Sequence, residues 1–249
     1  MLLQGDCLDL LPSIPDGSVD IVLCDLPYGT TKCKWDVTIP LGSLWSEYLR
    51  VAKENAAIVL FGVQPFTSVL GASRPDLLRY SWVWEKTKAT NFINAKRQPL
   101  RGFEDILVFY RKQPTYNPQG LLRVDRKVRN SGTTARATQT RTDAPHDGGL
   151  FTTEGYTQDF TGYPRGLILE AENGRSDSVH PTQKPVPLLE YLIRTYTNAG
   201  ETVLDNTMGS GSTGVACAST GRKFVGMELD AGFYSLACSR IAAAGQVEP

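Results

Sequence analysis

Histidine is nearly missing from this chain, which has two among 249 residues. Five cysteines, Cys7, Cys24, Cys33, Cys217 and Cys238, include no C-x-x-C pair, so no spaced metal-ligand cluster is present in the sequence. No metal is expected. The cysteines form no disulfide framework, and reduced thiols suit the cytoplasm. MLLQGDCLDLL carries no basic leader, and no apolar run approaches the ~20 residues of a membrane-spanning helix. A soluble, unexported protein without membrane contact is expected. Net charge is lacking as well, since 26 lysines and arginines balance 26 acids, and the total argues neither for nor against nucleic acid. What is plentiful is apolar residues, 41% of the chain, enough for one sizeable α/β core.

Charge is unevenly distributed. From Arg111 to Arg141 eight basic residues meet one acid, Asp125. Arg123, Arg126, Lys127, Arg129, Arg136 and Arg141 are candidates for phosphate contacts, and a solvated loop is the bland alternative. Around them, residues 113–179 scatter Gly, Thr, Asn and Pro with little periodicity and read as an insertion. Outside it, strands and helices alternate. Strands are predicted at Leu2–Gln4, Val19–Cys24, Ala56–Phe61, Tyr80–Glu85, Ile106–Tyr110, Thr202–Leu204 and Lys223–Met227. Helices are predicted from Leu8 and over Leu44–Lys53, Phe66–Ala72, Pro187–Tyr196, Thr213–Thr220 and Ala231–Ala244. The strand at Ile106–Tyr110, joined to its predecessor by a loop, is expected to be an antiparallel addition to a mostly parallel sheet. The aromatic residues Trp82, Trp84, Phe92, Phe103, Phe109 and Tyr110 read as core.

The most informative stretch runs from Val203 to Asp230, a strand, glycine loop, helix and second strand. Gly209, Gly211 and Gly214 spell G-x-G-x-x-G, and Glu228 follows at a spacing that lets an acid meet a ribose hydroxyl. Alone, this also fits a nicotinamide-dependent oxidoreductase. Only 21 residues follow Glu228, too few to complete a sheet, so the remaining strands must come from upstream. There, the strand Val19–Cys24 ends at Asp25-Leu26-Pro27-Tyr28-Gly29, and strand carboxyl ends are where open α/β sheets bind ligands.

These residues resemble the S-adenosylmethionine-dependent amino-methyltransferases of DNA, whose strand-end motif is D/N/S-P-P-Y/F/W. Motif order matches the β-type arrangement of that family: D-P-P-Y first, a target-recognition region in the middle, the glycine loop last. Gly5-Asp6 and His180-Pro181-Thr182-Gln183-Lys184-Pro185 look like further signatures. Leu26 departs from the usual proline, and Asn206-Thr207 replaces the common Pro-Phe. The resemblance implies a Rossmann-like α/β methyltransferase sheet in circularly permuted order, formed by residues 1–112 and 180–249, with 113–179 as a recognition insertion. It implies that Asp25 and the Leu26 carbonyl accept hydrogen bonds from an amine on a flipped base, that Pro27 stiffens the turn, and that Tyr28 stacks on the base. It implies a cofactor pocket of Asp6, Lys184, Asp205, Thr207, Gly209, Ser210, Gly211 and Glu228, with Lys184 beside the cofactor's carboxylate; a helix N-cap is the competing reading of Asp6. Double-stranded DNA is the expected partner, and relatives that pair make a homodimer an open option. Adenine N6 is favoured over cytosine N4 because D-x-P-Y resembles the adenine subset. An RNA or protein-amide acceptor stays open, although Asp25 and the late glycine loop favour DNA.

Overall fold

The computed structural model describes residues 1–29, 36–129, 157–169 and 183–245. They fall into two compact units, Met1–Asn117 with Gly166–Pro249, and Pro118–Arg165.

The first unit is built on strands β1 (Leu2–Gln4), β2 (Val19–Cys24), β3 (Ala52–Gly62), β4 (Leu78–Thr90), β5 (Arg101–Phe109), β8 (Leu167–Leu169), β9 (Thr202–Asp205) and β10 (Lys223–Glu228). They form one sheet in the order β1-β10-β9-β2-β3-β5-β4-β8. Only β5 runs against its neighbours, as the loop-separated pair predicts. β9 sits between β10 and β2, with Ile21 opposite Val203 and Val22 opposite Leu204. The two ends of the sequence thus meet in the middle of the sheet.

β2 is central because both of its faces are apolar. Val22 and Cys24 join one buried cluster with Leu60, Leu204 and Tyr48, while Ile21 and Leu23 join another with Val59, Phe61 and Val203. Period-two alternation delivers these residues to opposite faces, and helices cover each. Over the first face lie α1 (Cys7–Leu10), α2 (Leu41–Val51) and α3 (Phe66–Ser73), with Leu44, Trp45, Tyr48 and Val51 forming the buried stripe of α2. Over the second lie α4 (Val186–Tyr196), which buries Leu188, Leu189, Leu192, Ile193 and Tyr196, and α5 (Ser212–Thr220). α6 (Ala231–Ala244) closes the unit, its N-terminus capped by Asp230, which accepts from the Gly232 and Phe233 amides at 2.8 and 2.9 Å.

Several features differ from expectation, the first being that Ala52 and Lys53 begin β3 and do not end the helix, which covers Leu41–Val51. β4 and β5 reach to Thr90 and back from Arg101, well beyond Glu85 and Ile106, because their outer ends are polar and carry no apolar alternation to announce a strand. Leu167–Leu169, inside the span set aside as insertion, pairs parallel with Val83–Glu85 at the sheet edge. Trp82, Trp84 and Phe109 are core, but Phe92 and Phe103 are 68% and 55% exposed, which corrects their core reading. They stand on the outer part of the β4–β5 hairpin, where no third layer reaches them.

The second unit contains the antiparallel pair β6 (Leu122–Arg129) and β7 (Thr157–Thr161), with Arg123 opposite Phe160. Among the described residues no helix is long and apolar enough to cross a membrane.

Candidate active site

Parallel pairing of β1, β10, β9, β2 and β3 sends their carboxyl ends to one edge of the sheet. Asp25 directly follows β2, Asp205 ends β9, Glu228 ends β10, and Gly5-Asp6 follow β1, with the Gly5 amide bonded to the Glu228 carbonyl at 2.9 Å. The carboxylates picked out by sequence are thereby gathered on one rim.

The loop from β9 to α5 is shaped by Gly209 and Gly211, with φ of +52° and +80°. Only glycine takes this left-handed region without strain. At Gly211 space is also closed, since a Cβ would lie 2.8 Å from Ala237 Cβ, whereas at Gly209 nothing lies within 4 Å and the loop is open. Glu228 spans the loop base: its Oε2 accepts from the Gly209 amide at 2.9 Å and its Oε1 from the Asp230 amide at 2.8 Å. Burial raises its pKa, and these two amides counter part of that rise. Asp205 is 4% exposed and accepts from the Thr213 hydroxyl at 2.6 Å and the Thr207 amide at 3.1 Å. Burial outweighs both bonds and pushes its carboxyl up to about 7. Ser210 is held by Arg240, which donates to its carbonyl and hydroxyl, and it donates to Gln183 at 3.3 Å.

Asp25 is gripped from two sides. Tyr28 OH donates to its Oδ1 at 2.6 Å and Lys184 Nζ to its Oδ2 at 2.5 Å. Lys184, 9% exposed, also pairs with Glu104 at 3.2 Å, and Lys86 pairs with the far side of Glu104. The result is an alternating row, Lys86, Glu104, Lys184, Asp25. Burial would lower the Lys184 pKa, but the Asp25 and Glu104 carboxylates win and raise it. For Glu104, burial raises and the two lysines lower, with the lysines prevailing. Both members stay charged. The Tyr28 ring stacks on Phe66 at 5.1 Å and 29°, and the Leu26 side chain is buried at 3% exposure. The Thr207 hydroxyl donates to the Asp25 carbonyl at 3.0 Å, tying glycine loop to D-L-P-Y loop. Its neighbour Asn206 is buried, its Oδ1 accepting from Tyr48 OH at 2.5 Å and Cys24 Sγ at 3.0 Å.

Two of the expected cofactor residues have partners within the chain. Lys184 Nζ is bonded to the Asp25 carboxylate. The Asp6 side chain caps α1, accepting from the Leu8 amide at 2.8 Å. Arg123 is exposed in β6; the side chains of Arg126, Lys127 and Arg129, and all of Arg136 and Arg141, lie outside the described residues. Sequence reading missed Lys86 and Glu104. An acid next to the apolar run of β5, in R-G-F-E-D-I-L-V-F, was the available signal.

This geometry coincides with a family. Residues 19–239 match the model of a family described as DNA methylase, spanning N6 and N4 amino-methyltransferases. The chain is similar to DNA adenine methyltransferase YhdJ of Escherichia coli K12, 29% identical over 254 aligned positions covering 96% of this chain and 82% of that protein. Its fold is that of the M1.HpyAVI–SAM complex, with TM-score 0.65 and 21% identity, covering 97% of this chain and 98% of that one. It is also that of the cytosine-N4-specific PvuII DNA methyltransferase, with TM-score 0.68 and 14% identity, covering 99% and 86%. From motif order, strand order and this match over most of its length, the chain belongs to the N6/N4 DNA methylase family of S-adenosylmethionine-dependent enzymes.

Proposed function

We propose that this DNA methyltransferase acts on the N6 amine of adenine in duplex DNA, with Asp25 receiving the amine. The observation that carries the reading is the Asp25 carboxylate at the end of β2, fixed by Tyr28 and Lys184 and joined through Thr207 to the glycine loop. Two bonds leave a carboxylate with lone pairs to spare. The amine of a base is a poor nucleophile because its lone pair is delocalised into the ring. Asp25 and the Leu26 carbonyl accept the two N–H groups and favour a tetrahedral nitrogen, the geometry of the transition state. The cofactor, when bound, supplies an electrophilic methyl. As the nitrogen becomes cationic, one of its protons passes to the Asp25 carboxylate and on to solvent. Reaching Asp25 requires the base to leave the stack, and stacking on it is assigned to Tyr28, whose ring packs on Phe66.

The residues present suit S-adenosylmethionine. Each oxygen of Glu228 carries one amide and keeps a lone pair for a ribose hydroxyl. Asp205 is a buried carboxyl, poised for an ammonium. Thr207, Gly209, Ser210 and Gly211 form the adjacent backbone wall, open at Gly209, and Asp6 stands at the neighbouring strand end. Lys184 is assigned to Asp25 and not to the cofactor. The basic run of the 113–179 insertion is assigned to target recognition.

Adenine over cytosine rests on the D-L-P-Y motif and on the likeness to an adenine methyltransferase. The test is to incubate the protein with S-adenosylmethionine and unmethylated DNA, digest to nucleosides and weigh the products, with Asp25→Ala as control. N6-methyldeoxyadenosine that disappears in the control is expected. N4-methyldeoxycytidine instead would overturn the base assignment and keep the role of Asp25.

A further inference from the structure

Residues 86–103, KTKATNFINAKRQPLRGF, contain five basic residues and no acid. They form the outer ends of β4 and β5 and the turn between them. Register shows where this hairpin goes. β5 pairs with β3 only as far as Asp105, opposite Gly62, the last residue of β3. Beyond that point β4 and β5 continue with Glu85 opposite Phe103 and Thr90 opposite Arg101. β4 and β3 both run against β5, so they are parallel, and the hairpin leaves the sheet at the edge where β3 and β2 end. That is the edge carrying Asp25. The root of the hairpin is bonded into the site, because Lys86 and Glu104 form the outer half of the charge row that ends on Asp25.

At the tip, Phe92 and Ile93 are 68% and 98% exposed. Lys88, Lys96, Arg97 and Arg101 are exposed around them, and none pairs with an acid among the described residues. Water is a poor environment for an apolar pair at the end of a projecting arm, and exposed apolar groups rimmed by polar ones mark contact surfaces. The surrounding charge selects the partner. Unpaired cations suit a phosphate backbone, and apolar wedges between base steps are a recurring way for proteins to open a duplex.

We propose that the β4–β5 hairpin is a second DNA-binding element, its Phe92–Ile93 tip entering the duplex beside the target base while Lys88, Lys96, Arg97 and Arg101 hold flanking phosphates. The inference rests on Asp25 as the point to which the base is delivered, and is indifferent to whether that base is adenine or cytosine. The tip occupies stacking space that the departing base gives up, which favours the extruded state.

The experiment compares F92A/I93A with the wild-type protein on three substrates of one sequence: duplex, single strand, and duplex with an abasic site opposite the target base. Loss of about tenfold or more in kcat/KM is expected on duplex, the worth of one stacking contact, with little loss on the other two. S-adenosylmethionine affinity and melting temperature stay at wild-type values, because both side chains are exposed. A separate variant, K96Q/R97Q, should lower the slope of log Kd against log salt by about 2, roughly 0.9 for each phosphate contact removed. Wild-type activity of F92A/I93A on duplex overturns the proposal, as does an equal loss on all three substrates. A dimer that becomes monomeric on F92A/I93A substitution would assign the tip to a second copy and overturn it too. Failure of the wild-type protein to methylate any of the three would instead strike the role given to the site itself.

Discussion

Asp205 sets the enzyme's stability against its function, and Asp205→Asn separates them. Its carboxyl is lifted from 3.8 to about 7 by burial. The folded chain therefore binds this proton more tightly than the unfolded one, and the contribution of Asp205 to stability is greatest at low pH. It falls as pH rises from about 4 to about 7 and is flat above that. The full loss is on the order of 4 kcal/mol, from about three pKa units at 1.36 kcal/mol each. Asparagine keeps the shape and can still meet Thr213 and Thr207, but it has no charge to bury. In urea titrations without cofactor, the difference between Asp205→Asn and wild-type should grow by about 3 kcal/mol in favour of the variant between pH 5 and pH 8. At pH 8 the variant is the more stable protein. It should also be a poor binder of S-adenosylmethionine, whose ammonium has lost its counter-charge. Calorimetry in buffers of different ionisation enthalpy should find that wild-type binding near pH 6.5 expels a proton and that variant binding does not. A variant no more stable than wild-type at pH 8, with the same pH slope, would refute the reasoning.

Asp25→Asn should lower kcat by about 10²–10³, the scale of one oriented electrostatic partner, and leave cofactor affinity unchanged; steady-state kinetics beside a binding titration would expose an error if affinity fell instead. Glu104→Gln takes one of two raising carboxylates from Lys184, so the alkaline limb of the kcat profile should move to lower pH, and an unmoved limb would remove Glu104 from the charge row. Lys184→Met leaves Asp25 and the buried Glu104 without their shared cation and should cost about 3 kcal/mol of stability by thermal or urea unfolding. Gly211→Ala combines a strained φ with a Cβ driven against Ala237, for about 2–5 kcal/mol, whereas Gly209→Ala meets open space and should cost about 1 kcal/mol; equal losses in a melting series would contradict the packing described.

The parallel sheet was legible because buried strands such as V-D-I-V-L-C announce themselves by apolar content, and its permuted arrangement because the glycine loop follows D-L-P-Y in the chain. The carboxylates at strand ends were legible for the same reason, since an acid straight after an apolar strand is already positioned. What escaped was whatever depends on contact between distant segments. Lys184 reads as a partner of the cofactor's carboxylate, and its bonds to Asp25 and Glu104 show only in the folded chain. Thr207 reads as a departure from the family until its hydroxyl is seen bonding the Asp25 carbonyl. The outer β4–β5 hairpin was invisible because a polar, two-stranded arm has no buried face, hence no alternation to detect.

The place of β9 also bears on how the protein comes into being. A chain made from its N-terminus presents β2 and β3 early, while the strand that covers the other edge of β2 arrives only with residues 202–205. Ile21 must wait for Val203, 182 positions later, and β1 must wait longer still for β10. Until then an apolar strand edge stays open, the kind of surface that aggregates or recruits chaperones. A chain that stops before β9 cannot form the crevice, since Asp25 and Asp205 stand at the ends of adjacent strands far apart in sequence. The crevice is therefore assembled only after residues 202–205 have been made.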